Sequence, residues 1–229
     1  ITVVPDDTLA AWTVTGPTTA TAGTAVSLTG TPYDEYGNLI TGYTGTHNLT
    51  VDGAEDSPNG TEPVLPSTVS FVNGTATMSV TLFNAGDTDL VFTLEGAAGT
   101  GDYAGYASGI VASGPATIVV APTTVSFYTV TGFDASQIVG ETFSVTVTPY
   151  DPYANLTTGT TVTLSAVNTT GTGSVNGYLY TGTTSTPSGS TAAGAKTITG
   201  VFYTYPETID IFATDRSEER RVGKECRSR

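Results

Sequence analysis

Apolar and polar residues alternate with a period of two along much of the chain. In residues 75–82 the apolar set is Ala76, Met78, Val80 and Leu82, with Thr and Ser between them. Phe143, Val145 and Val147 repeat the pattern. A period of two places one set of side chains on a buried face and the other in water, as in a half-buried strand. By this rule strands are predicted near 10–15, 24–31, 44–51, 67–72, 75–82, 88–94 and 108–120. A second group is predicted near 125–131, 141–149, 160–167, 174–180, 195–203 and 207–213. Asn73-Gly74 separates two of the first group, and Asn-Gly tolerates positive φ at both central positions of a hairpin turn. Each group holds six or seven short strands in roughly 100 residues, which is the signature of a β-sandwich with its own core.

An internal repeat organises the two groups. Residues 31–42 read TPYDEYGNLITG and residues 148–159 read TPYDPYANLTTG, with nine of twelve positions identical at an offset of 117. Val14-Thr15-Gly16 returns as Val130-Thr131-Gly132, and the stretch Ile1 to Pro5 returns loosely as Ile118 to Pro122. The expected fold class is therefore all-β: tandem immunoglobulin-like antiparallel β-sandwiches. Residues 1–5 read as the last strand of a preceding repeat, and 9–121 as a complete sandwich. Residues 123–215 read as a second sandwich lacking its final strand. That unit is expected to expose an unpaired sheet edge, a liability for strand exchange.

Composition changes the picture at the C-terminal end. Residues 216–229 read RSEERRVGKECRSR and hold six of the seven Lys/Arg, the only Cys and three of the 21 acids. This stretch resembles the translation of a sequencing adapter at the end of a metagenomic fragment, and it is set aside as a non-native tail. Without it the net charge moves from −14 to −17, since 18 acids then face a single Lys. Such a surface repels phosphate backbones, so no nucleic-acid partner is expected. No apolar run approaches the roughly 18 residues of a membrane helix, so no direct membrane insertion is expected of this segment. With no Cys before residue 216, disulfides play no part. The first residue falls in mid-pattern, so both ends read as cuts through a longer gene.

Candidate chemistry is sparse. His47 is the single His and lacks triad companions, and no HExxH, CxxC, GxSxG or phosphate-cradling motif occurs. The expectation is a protein that is not an enzyme and that needs no cofactor. Calcium is the sharpest metal hypothesis, because Ca²⁺ takes six to eight oxygen ligands. Asp34, Glu35 and Asn38 lie in one predicted loop, and Asp52, Glu55, Asp56 and Glu62 in the next, neither with EF-hand spacing. The competing reading of Asp34 and Asn38 is a turn that caps itself through local hydrogen bonds. Tyr residues cluster at Tyr103/Tyr106, Tyr178/Tyr180 and Tyr203/Tyr205, and the spacing of two in the last two pairs places both rings on one strand face, where they stack on sugars or on neighbouring strands. Asn48, Asn59, Asn73, Asn155 and Asn168 each begin an N-x-[ST] triplet.

The stretch Tyr33 to Val51 resembles the bacterial immunoglobulin-like repeats of surface adhesins and extracellular multidomain proteins. Asp34, Gly37, Asn38, Gly42, Tyr43 and Gly45 match their loop pattern, and Ile211 to Asp215 resembles their closing run. Asp151, Asn155 and Gly159 repeat the loop pattern more loosely, with Ala154 in place of the Gly and Thr160 in place of the Tyr. The resemblance implies an extracellular or cell-surface location. It also implies a structural or adhesive role as a spacer or stalk, with neighbouring repeats of the same chain as partners. The alternative is a ligand-binding module for a carbohydrate or a matrix or host protein, with calcium as a stabiliser. An intramolecular isopeptide bond, known in some such domains, needs a buried Lys, and Lys196 is the one candidate.

Overall fold

Alternating segments become strands because each buries one face against a neighbour, and the computed structural model shows which neighbours those are. It describes residues 1–2, 4, 6–95, 110–111, 117–169, 175–182, 184 and 187–215. The chain divides into two units, Ile1–Pro122 and Thr123–Arg229. Among the described residues both are all-β, built of mainly antiparallel sheets. The expected tail at 216–229 lies outside the described residues. Residues 1, 2 and 4, from the predicted leading strand, lie outside any strand.

In the first unit the strands are β1 (Ala11–Thr15), β2 (Thr19–Thr21), β3 (Ala25–Tyr33), β4 (Gly45–Asp52), β5 (Thr68–Val72) and β6 (Thr75–Thr81). β7 (Gly86–Asp89), β8 (Val91–Glu95), β9 (Ile110–Val111) and β10 (Thr117–Ala121) complete it. One sheet has the order β1-β3-β6-β5-β4-β8-β9, and a second has the order β2-β10-β7. Trp12 of β1 meets Phe71 of β5 and Phe92 of β8 edge-on, at 6.2 and 6.5 Å. Strands far apart in sheet order therefore face each other, so the long sheet folds over its own core as a sandwich. Trp12, Phe71, Phe92, Val80 and Ile118 are buried there, and edge-to-face rings suit the aromatic quadrupole.

The second unit contains β11 (Phe127–Thr131), β12 (Phe143–Tyr150), β13 (Thr161–Asn168), β14 (Leu179–Thr181), β15 (Ser188–Ser190), β16 (Lys196–Tyr203) and β17 (Ile209–Asp215). Its sheets have the orders β11-β12-β16-β14 and β15-β13-β17. Val145, Val147, Val162, Leu164 and Val201 fill the core. Tyr128 stands where the first unit has Trp12. Its hydroxyl donates to Asp215 Oδ2 at 2.7 Å, a buried polar pair at this position of the second unit. Among the described residues β17 has one strand partner, β13, whereas the β7–β8 line of the first unit is flanked by β4 on one side and β9 and β10 on the other.

The predicted Asn-Gly turn is present. Asn73 and Gly74 have φ of 50° and 75°, and Val72 pairs with Thr75 across them. The structure adds strands that periodicity missed, β2 and β15, each three residues long. The predicted strand at 108–120 is described only as β9 and β10, with 108–109 and 112–116 outside the described residues. Strand 174–180 is described as β14, which starts later.

One replacement in the repeat tests the backbone directly. Gly37 has φ 79°, and Ala154, its counterpart, is forced to φ 63°. A Cβ on Gly37 would meet nothing within 4 Å, so its cost there is conformational alone. Left-handed backbone costs an L-residue roughly 1–2 kcal/mol. Ala154→Gly should therefore stabilise the second unit by about 1 kcal/mol, and Gly37→Ala should destabilise the first by about as much. Chemical denaturation of the two variants checks both signs.

Candidate functional site

The repeated motif is built around a buried carboxylate. Asp34 lies just past the end of β3, and the chain must turn at once to reach Ile40, which is buried. Asp34 Oδ1 accepts the backbone N–H groups of Tyr36 at 3.0 Å and Asn38 at 2.7 Å. Asp34 Oδ2 accepts the Asn38 side-chain amide at 2.9 Å and the backbone N–H of Asp6 at 3.2 Å. Backbone bonds from Asp34 N–H to the Asn38 carbonyl and from Gly37 N–H to the Asp34 carbonyl close the turn.

The second unit repeats this arrangement. Asp151 Oδ1 accepts Tyr153 N–H and Asn155 N–H, both at 2.9 Å. Asp151 Oδ2 accepts the Asn155 side-chain amide and Thr123 N–H, both at 3.0 Å. Asp6 and Thr123 stand 28 residues before their aspartates. Each carboxylate therefore joins the segment leading into its unit to the turn after the second long strand. Where the first unit buries Ile40, the second buries Thr157, whose hydroxyl donates to the Thr123 carbonyl at 2.9 Å.

The electrostatics follow from this geometry. Burial pushes the Asp34 carboxyl up, but the Asn38 side-chain amide and the N–H groups of Asn38, Asp6 and Tyr36 outweigh it. The net effect holds Asp34 below the ordinary carboxylate range. The same arrangement bears on the calcium hypothesis. Both oxygens of Asp34 face N–H donors, whose positive ends occupy the directions a cation would approach. Glu35 is exposed and Asn38 turns its amide N–H toward Asp34. Asp34, Glu35 and Asn38 thus do not converge as an oxygen ligand set. Asp52, Glu55, Asp56 and Glu62 are all exposed. Among the described residues no three His, Cys, Asp or Glu side chains gather as a metal site.

A second acidic clamp escaped the sequence reading. Glu207 accepts the Asn176 N–H at 2.8 Å, the Asn176 side-chain amide at 2.9 Å and the Gly177 N–H at 3.0 Å. Tyr203 also donates to it, at 2.5 Å. The Tyr203 bond is the largest influence holding Glu207 below its ordinary value, against the opposing effect of burial. Burial, then the bond to Glu207, pushes Tyr203 up to about 12. Burial, then Asp215, does the same for Tyr128. Only the Tyr-x-x-x-Glu spacing at 203–207 hinted at this contact.

The other singled-out residues are placed as follows. His47 is half-buried and stacks on Tyr43, with ring centroids 4.9 Å apart, and burial lowers its pKa. It packs as an aromatic ring, with the Tyr43 hydroxyl 3.4 Å from its Nδ1. Tyr203 is buried while Tyr205 is exposed, so that pair does not share a face, because β16 ends at Tyr203. Tyr180 stacks on Phe202, its cross-strand partner, with Tyr178 edge-on to it. Tyr103 and Tyr106 lie outside the described residues. Lys196 is exposed, which removes the buried amine that an isopeptide bond requires. Asn155 is buried in the clamp and closed to glycosylation in the folded unit, whereas Asn48, Asn59 and Asn73 are exposed.

No known protein family matches the chain, and no curated protein is significantly similar to it. Solved structures with a similar fold include the Escherichia coli adhesin FdeC, at 16% identity and a TM-score of 0.38. The match covers 86% of this chain and 57% of that one. Domains 4–9 of the surface layer protein SbsC match at 15% identity and a TM-score of 0.26, over 90% of this chain and 31% of that one. An E. coli alpha-2-macroglobulin matches at 13% identity and a TM-score of 0.31, over 92% of this chain and 12% of that one. The chain thus spans less than two thirds of each of these proteins.

Replacing Asp151 by Ala should leave four N–H donors without their acceptor. The expected loss is about 3 kcal/mol, confined to the second unit. Two-transition thermal denaturation resolves which unit melts earlier, and millimolar calcium should leave both wild-type melting points unchanged. The depressed Asp34 and Glu207 contribute stability that is whole above the unfolded carboxylate value of about 4 and is lost as pH falls through their lower folded values. The raised tyrosines act at the other end. Their contribution is whole below pH of about 10 and is lost as pH rises through about 12. Tyr128→Phe should therefore flatten the alkaline loss of stability in the second unit, as read by circular dichroism between those values.

Proposed function

We propose that this chain is a structural and adhesive-type module of a secreted or cell-surface protein, a pair of immunoglobulin-like repeats of the bacterial surface type that serves as a spacer. The observation that carries the reading is the duplicated clamp. Asp34 and Asp151 each bind the backbone of the segment that leads into their own unit. β10 ends at Ala121 and the Asp151 clamp takes hold at Thr123, which leaves Pro122 alone between them. A unit whose incoming segment is bonded to its own turn suits a repeat that bears load along a chain of repeats. The invested residues hold backbone in place, and the acids singled out in the sequence do not converge on a reacting group or a cation. In this reading the chain is not an enzyme and requires no cofactor. Its acidic surface favours solubility over association with polyanions.

A ligand-binding role is the second reading, favoured by one observation. Tyr178 is exposed beside the stacked Tyr180–Phe202 pair on β14 and β16, a surface on which a sugar ring could stack.

Single-molecule pulling tests the first reading. Unfolding residues 123–215 should release about 300 Å of contour length in one step, at roughly 3.3–3.6 Å per residue. Glycan and matrix-protein arrays with the whole chain should stay blank. A saturable ligand lost on Tyr178→Ala would replace the spacer reading with the binding one.

A further inference from the structure

We propose that Asn59 is a glycosylation site, an amide acceptor for a sugar delivered on a polyprenyl diphosphate carrier. Five triplets in the chain begin N-x-[ST], and such triplets are used in surface loops of exported proteins. The inference therefore rests on the cell-surface reading, while the structure of the loop selects the residue. Asn59-Gly60-Thr61 lies between β4 and β5 in a stretch outside any strand, and Asn59 and Gly60 are exposed.

The loop is built to present this side chain. Ser57 is 4% exposed and anchors it. The Ser57 backbone N–H bonds the Thr61 carbonyl at 3.0 Å, and the Gly60 N–H returns to the Ser57 carbonyl at 2.8 Å. Asn59 Oδ1 accepts three donors: the Ser57 hydroxyl at 2.8 Å, the Thr61 hydroxyl at 2.7 Å and the Thr61 N–H at 3.1 Å. Transfer needs the Asn59 amide nitrogen to bond the anomeric carbon of the sugar. The bond from that carbon to the diphosphate oxygen breaks, the diphosphate leaves with the electron pair, and the nitrogen gives one proton to a base of the transferase. As the proton departs, negative charge builds on Oδ1, where the three donors already point. The third residue of the triplet supplies two of them. The side of the turn is open, since a Cβ on Gly60 would meet nothing within 4 Å, so an enzyme has room to approach.

The other triplets are held differently. Asn48 lies within β4, with Thr68 opposite on one side and Glu95 on the other, so its backbone is fixed in a ladder. Asn73 forms the tip of the β5–β6 hairpin, but Thr75 is already in β6 and paired with Val72. That turn is backed by the 40–43 segment. Gly74 N–H bonds the Tyr43 carbonyl, and a Cβ on Gly74 would lie 2.5 Å from the Ile40 carbonyl oxygen. Asn155 is buried in the aspartate clamp. The triplet of Asn168 ends outside the described residues. Asn59 thus unites exposure, a turn outside the strand ladders and a side-chain carbonyl already held by its own triplet.

The experiment supplies both reactants, so its result does not depend on where the chain resides, and its failure would leave the cell-surface reading standing. The purified, folded full chain is incubated with a single-subunit oligosaccharyltransferase that requires N-x-[ST] alone and with a polyprenyl diphosphate-linked oligosaccharide. Occupancy at each Asn is read by peptide mass spectrometry. Asn59 should be occupied about tenfold above Asn48 and Asn73. Ser57→Ala leaves the triplet intact and removes one donor, so occupancy at Asn59 should fall about fivefold, the worth of one hydrogen bond. A triplet recognised by sequence alone would not respond to that change. A melting curve confirms that the variant is folded, and the comparison among sites in the unchanged chain decides the case if it is not. No transfer to Asn59, equal transfer to the three residues, or unchanged occupancy in folded Ser57→Ala would overturn the proposal.

Discussion

The buried aspartate carboxylate is the constraint on which each sandwich depends. Removing a charge from water is costly unless polar partners replace the solvent. Asp34 and Asp151 each receive four N–H donors, three from the turn that follows and one from the segment that leads in. The carboxylate thereby fixes the direction of the turn and the place where the chain enters the fold. Those two constraints set the relation of the first strand to the second, and the core between them follows. Where the turn admits Gly, as at 37, the backbone takes its left-handed step freely. Where it carries Ala, as at 154, the same step is made under strain. That the geometry survives this replacement is a measure of how firmly the aspartate holds it.

The two units use this device in different surroundings. The first centres on Trp12 and its aromatic neighbours, with β10 closing the barrel-like edge of the sandwich. The second substitutes the Tyr128–Asp215 bond and ties the 176–177 loop with Glu207. It therefore depends on ionised carboxylates and protonated tyrosines to a degree the first does not. The repeat conserves the clamp and varies what packs against it.

Much of this was legible in the sequence because the signals were periodic. Met78 and Val80 alternate along β6, and Val145 and Val147 along β12, so face and strand could be read together. Asn73-Gly74 announced its turn through backbone preference alone. β2 and β15 were illegible, since Thr-Ala-Thr and Ser-Gly-Ser carry no alternation and become strands only through their neighbours. The acids were harder. An Asp beside an Asn has the composition of a cation site and of a self-capped turn alike, and only the direction of the N–H groups separates them. Exposure of Lys196 and the inward turn of Tyr203 likewise depend on where a strand ends, which spacing does not record.

The central claim is that the carboxylate holds incoming segment and turn as one piece with the core. Native-state hydrogen exchange at the amides of Thr123, Tyr153 and Asn155 tests it most directly, because all three donate to Asp151. The account predicts that the three amides exchange together and as slowly as those of the core strands β12 and β13, through global opening of the unit. Exchange of any of them at the rate of an exposed loop, while the core stays protected, would contradict it.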